Sequence, residues 1–155
     1  MSSARAQANH RLYLAKIQLA AWQRAVAEQE VAASTLTQAF QPAVQQHLRS
    51  AYGCFLLAVS GCEDSTAEPP GCCDELPPVP PGRSIPGEIR EFQQLELGGW
   101  LAEMLAQPVP GQPGALSRHN LASPVATRSG PETAAHWIQQ MELLFDRMGG
   151  ALDEC

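Results

Sequence analysis

The sequence predicts an all-α fold, an irregular antiparallel four-helix bundle with two long Pro/Gly-rich loops, on three observations. Apolar residues recur at three- and four-residue steps in four separate segments. Proline and glycine collect between those segments. No alternating apolar/polar run of useful length competes as a strand, and no internal repeat is visible. A chain of 155 residues fits one domain over 1–155, and a domain of this size buries about 68–70% of its unfolded surface without needing staples.

The first helix is expected over 4–33, where no Gly or Pro interrupts Leu12, Ala15, Leu19, Trp22 and Val26. Leu14, Ile17 and Ala21 widen the stripe, which predicts contact with two neighbours. The second helix is expected over 36–60: Thr35 and Gln38 read as a capping box, and Leu36, Phe40, Val44, Leu48, Ala51, Phe55 and Val59 continue one face. Pro42 removes an amide donor there, predicting a kink or a later start.

From 61 to 85 the text changes to Pro, Gly, Cys and acid, including Pro69-Pro70-Gly71 and Pro77-Pro78-Val79-Pro80-Pro81-Gly82. Such a stretch reads as a long loop, mobile and protease-sensitive unless something pins it. The third helix is expected over 86–107, with Ile89, Phe92 and Leu95 on one face and Leu97, Trp100, Leu101, Met104 and Leu105 on another. Gly98-Gly99 lies between the two sets, and two glycines cost about 2 kcal/mol of helix propensity, so a break is predicted there.

A second loop spans 108–130. The last helix is expected over 131–149, opened by a Ser129/Glu132 capping box with Pro131 in its first turn and closed by Gly149-Gly150. Its stripe is Trp137, Ile138, Met141, Leu144, Phe145 and Met148. The predicted core holds Leu12, Leu19, Trp22, Phe40, Leu48, Phe55, Phe92, Trp100, Trp137, Met141 and Phe145.

The net charge of −6 and a single lysine, Lys16, exclude a general nucleic-acid binder, because phosphate neutralisation needs a field of cations. The charge is uneven. Arg5, Arg11, Lys16 and Arg24 precede any acid, whereas Glu63, Asp64, Glu68, Asp74 and Glu75 crowd one loop. That segregation reads as a basic helix beside acidic neighbours in the same fold, or as a docking surface for an anionic partner. No run reaches the roughly 18 apolar residues of a membrane span and the first residues lack a signal-peptide core, so no membrane association and a cytoplasmic location are expected. The five cysteines should then be mostly reduced.

Asn9-His10-Arg11-Leu12-Tyr13-Leu14-Ala15, Leu19, Trp22, Tyr52-Gly53, Trp100-Leu101-Ala102-Glu103-Met104-Leu105 and Leu152-Asp153-Glu154-Cys155 together resemble a bacterial family of short helical proteins known only as a domain of unknown function. The resemblance implies a bacterial cytoplasmic protein and brings no catalytic residue or cofactor. The acidic, Cys-bearing stretch 61–75 lies outside the pattern.

Tests for chemistry return little. Di-iron bundles need Glu-x-x-His, which is absent; Glu132 and His136, four apart, read as a surface pair. Cys62, Cys72 and Cys73 are the candidate metal ligands, but gaps of nine and none lack the pairing that structural zinc uses, so reactive free thiols are expected, with Cys54 turned to the core. Arg5 and His10 match the Arg-x4-His spacing of helical ribonucleases, although those enzymes carry it in a late helix. His47 reads as a half-buried histidine and Trp22, Trp100 and Trp137 as packing residues. No catalytic residue, cofactor or metal is therefore assigned. The expected role is a non-enzymatic bundle acting through protein–protein interaction. The alternative is a small-molecule or metal binder using the aromatic core or the Cys-bearing loop, and a helical ribonuclease comes third. Oligomeric state is left open.

Overall fold

The computed structural model describes residues 3–62, 68–79, 81–106 and 130–153, and every regular element among them is helical. They form α1 (Ala4–Glu28), α2 (Ala33–Ser60), a short 3-10 turn (Cys73–Glu75), α3 (Gly87–Leu97), α4 (Trp100–Ala106) and α5 (Pro131–Asp153).

Helix α1 opens where the Ser3 hydroxyl accepts the Ala6 amide at 3.2 Å. It stops at Glu28, short of the expected Ala33, because Gln29 turns to a left-handed φ of 56° and gives its amide to the Val26 carbonyl. Helix α2 then starts at Ala33 instead of Leu36. The expected Thr35 capping box does not form: the helix is capped at Ala32 without a side-chain bond, and the Thr37 hydroxyl donates to the Ala33 carbonyl. Pro42 sits inside one continuous helix, not at its start. The residues around it, Gln41, Val44 and Gln45, are buried, so packing offsets the missing donor.

The end of α2 is sharp. Gly61 adopts φ 76°, and the Gly61 and Cys62 amides close on the Ala58 and Leu57 carbonyls. The predicted break between α3 and α4 falls at Gly98–Gly99, with Gly99 at φ 96°. Helix α5 runs through the expected stop at Gly149-Gly150 to Asp153. Glycine in a helix costs about 1 kcal/mol, a cost set against the buried stripe through Leu144, Phe145 and Met148 that precedes the pair. Ser129 and most of the predicted 108–130 loop lie outside the described residues.

Contacts between helices fix their directions. Trp22 stacks on Phe40 and the Cys54 thiol faces the Gln7 amide, so α1 and α2 are antiparallel. Lys16 pairs with Glu142, and the Arg5 guanidinium lies against Gly149, so α5 also runs against α1. Tyr52 meets Glu96 and Phe55 meets Phe92, which sets α3 antiparallel to α2. Arg49 continues the series by donating to the Leu105 carbonyl near the end of α4 at 3.2 Å.

Of the expected core, Phe40 and Trp100 are only half-buried. Phe40 lies near the α1–α2 link, against Trp22, and Trp100 opens α4 at the edge of a surface groove. The stripe on α1 is narrower than predicted, since Ile17 is 46% exposed. The centre is aromatic: Phe55 stacks on Phe145 with centroids 4.0 Å apart and meets Phe92 edge-on at 6.0 Å. Trp137 is 1% exposed beside this cluster in the same core. Trp137→Ala should cost roughly 3–5 kcal/mol in urea unfolding, and a loss below about 1 kcal/mol would contradict its central placement.

Candidate functional site

The stretch expected to be a structureless loop carries a buried polar cluster. Gly53, in the middle of α2, has no side chain because another segment occupies the space: a Cβ there would lie 2.3 Å from the Pro70 carbonyl oxygen and 2.8 Å from Pro69 Cβ. One residue before it, the Tyr52 phenol donates to Glu96 Oε1 on α3. The Cys73 amide donates to the same oxygen at 2.9 Å. The Cys73 thiol lies 3.8 Å from the Tyr52 hydroxyl and 3.9 Å from the Ile89 carbonyl. Further out, the Gly71 amide donates to Glu75 at 2.6 Å and closes the turn.

Protein contacts thus dock residues 69–73 on α2 and α3, so of the two alternatives for this loop, mobile or pinned, these residues are pinned; Glu63 and Asp64 lie outside the described residues. No disulfide joins the four described cysteines, Cys54, Cys62, Cys72 and Cys73. Among the described residues no three His, Cys, Asp or Glu side chains gather to hold a metal ion, so Cys62, Cys72 and Cys73 do not form the candidate ligand set.

The electrostatics of the cluster suit holding rather than reacting. Burial, then the bond to Glu96, keeps the Tyr52 phenol protonated well beyond its ordinary range. Burial pushes the Cys73 thiol up to about 12; the Tyr52 hydroxyl pulls the other way, and the Glu96 charge adds to the rise. Burial and the raised pKa both lower the thiolate fraction of Cys73 and its access to reagents, which sets it apart from the exposed loop thiol expected. Cys54 is buried with its thiol pKa raised by burial, while Cys62 and Cys72 are half-buried.

The docked segment also walls a cavity of about 510 Å³. It is lined by Val59 on the last turn of α2, Ile89 on α3, and Leu76, Pro77, Pro78 and Ile85 between them in sequence. Cys62 and Arg83 lie at its lining. That volume falls within the roughly 300–1,000 Å³ of small-molecule sites.

The remaining candidates are dispersed. Arg5 lies against α5, whereas His10 is exposed and, with Arg11, sits close enough to His47 to act on it. Burial first, then the charges of Arg11 and His10, lowers the half-buried His47 below its ordinary pKa. Glu132 and His136 are both exposed. Trp22 and Trp137 are spent on packing. Lys16 meets Glu142, so part of the segregated charge is satisfied within the fold.

Comparisons with protein-family models, with curated proteins and with solved structures found no match.

Sequence reasoning missed Glu96, Arg83 and the role of Tyr52. One signal was present: Gly53 is a lone glycine inside a helical pattern, which costs about 1 kcal/mol against alanine and so calls for a packing reason.

Three outcomes follow from this geometry. Gly53→Ala gains about 1 kcal/mol of helix propensity but must displace the backbone of Pro70, and overpacking of this kind costs roughly 1–3 kcal/mol. Urea unfolding should show net destabilisation, whereas Gly149→Ala, which meets only the end of the Arg5 side chain, should be near neutral. For the thiols, a timed iodoacetamide pulse should modify Cys62 and Cys72 first and Cys54 and Cys73 only as the fold opens. Because Cys73 rises from 9.0 to about 12 on folding, its contribution is fully present below pH about 9 and lost as pH climbs towards about 12. The urea midpoint should fall across that window, and less so in Cys73→Ser.

Proposed function

We propose that the protein is a non-enzymatic binding protein of bacterial cytoplasm that acts through a protein partner, built as an irregular four-helix bundle with α3 and α4 as one jointed arm. The resemblance drawn from its sequence bears only on the bacterial and cytoplasmic part of this reading. The observation that carries it is the face where α3 and α4 meet α5. Leu95, Trp100, Leu143 and Leu144 line a groove there, rimmed by the Glu91–Arg147 ion pair. Leu143 leaves 58% of its surface in water in the middle of α5, and it shares the groove with Leu95, Trp100 and Leu144, so the apolar surface there is contiguous and not a single exposed residue. A groove between helices with an apolar floor and a charged rim fits an amphipathic helix of the partner, whose apolar side chains would cover Leu143 and Trp100.

The test compares wild type with Leu143→Asp in pull-downs from the native host, with circular dichroism to establish that both fold. A partner captured by wild type should be lost or weakened at least about tenfold in the variant, the usual scale of a buried anchor. Equal capture by the two proteins would remove this face from consideration. Sedimentation of the isolated protein identifies the case in which the partner is a second copy.

A further inference from the structure

We propose that the cavity between the end of α2, the docked segment and the start of α3 binds a small apolar carboxylate, with the carboxylate on Arg83 and the apolar body along Val59, Leu76 and Ile89. This is independent of the α5 face and uses other residues.

The walls decide the class of ligand. Val59, Leu76, Ile85 and Ile89 present aliphatic surface to a space of about 510 Å³. Pro77, Pro78 and Pro86 also line it, and proline has no amide to donate. A peptide laid there would find only the Ser60, Ser84 and Gln93 side chains and a few backbone groups for its own amides and carbonyls, each of which is costly to leave unpaired. A ligand with one polar group avoids that cost. The described lining offers a single charged side chain, Arg83, which forms no hydrogen bond or ion pair with other described residues. A guanidinium meets a carboxylate through two parallel hydrogen bonds. One cation at the edge of an aliphatic space complements an amphiphile with one anionic end.

The wall is also pre-formed. Cys73, which lines the cavity, is held by Glu96 through its amide, and Leu76 closes the same turn by donating to the Cys73 carbonyl at 3.2 Å. The site therefore needs no ordering of this segment when ligand arrives.

Two half-buried cysteines make the test internal. Cys62 lines the cavity and Cys72 does not. The full chain is treated with iodoacetamide in the presence of decanoate below its micelle concentration, with decanol and decyltrimethylammonium as controls. Decanoate should slow modification of Cys62 severalfold and leave Cys72 unchanged. Methyl NMR shifts at Val59 and Ile89 provide a second readout for a ligand seated away from the sulfur. Arg83→Gln, at an exposed position, should weaken decanoate about tenfold while leaving decanol unchanged, the scale of one lost charge-assisted contact. Equal effects of decanol or the ammonium, or an Arg83→Gln protein that binds decanoate as wild type does, would overturn the proposal. So would equal slowing of Cys72, or the absence of both Cys62 protection and methyl shifts.

Discussion

One carboxylate oxygen ties three distant parts of the chain together. Glu96 Oε1, on α3, receives the Tyr52 phenol from α2 and the Cys73 amide from the segment between them. Both donors are removed from water, so the cost of leaving either unpaired is far larger than the gain from an ordinary exposed bond. The absence of a side chain at Gly53 lets Pro69 and Pro70 reach α2, three residues before Cys73 meets Glu96. Docking of the segment, burial of Cys73 and the wall of the cavity all depend on this arrangement.

Helix periodicity made most of the fold legible before any coordinates. The stripes through Leu12, Leu48, Phe92 and Trp137 identify the helices and most of their buried faces, and the Gly98-Gly99 pair marks the joint between α3 and α4. Helix ends were less readable because they turn on local competition. Thr35 and Gln38 have the letters of a capping box, but Ala33 already lies in the helix, and the Thr37 hydroxyl bonds to its carbonyl. Gly149-Gly150 has the letters of a stop, yet the helix whose buried stripe reaches Met148 runs on to Asp153.

The docked segment was illegible for a different reason. Pro-rich text announces the lack of regular hydrogen bonds, and says nothing of whether scattered amides find partners elsewhere. Here a few do: Cys73 on Glu96, Gly71 on Glu75 and Leu76 on Cys73. The pairing of Tyr52 with Glu96 joins residues 44 positions apart and leaves no periodic trace. Nothing in the sequence singles out Arg83, because Val59 shares its space only through the packing of α2 beside the segment that carries Arg83, Ile85 and Ile89.

The Lys16–Glu142 pair carries a practical consequence. Lys16 is the chain's sole lysine and bridges α1 to α5 with 48% of its side chain still in water. An exposed pair of this kind contributes about 0–1 kcal/mol, so its loss leaves the fold standing. Amine-directed acylation therefore reaches one interior position of the chain besides the terminal amine. A dye or cross-linker attached there would report on the seam between the first and last helices.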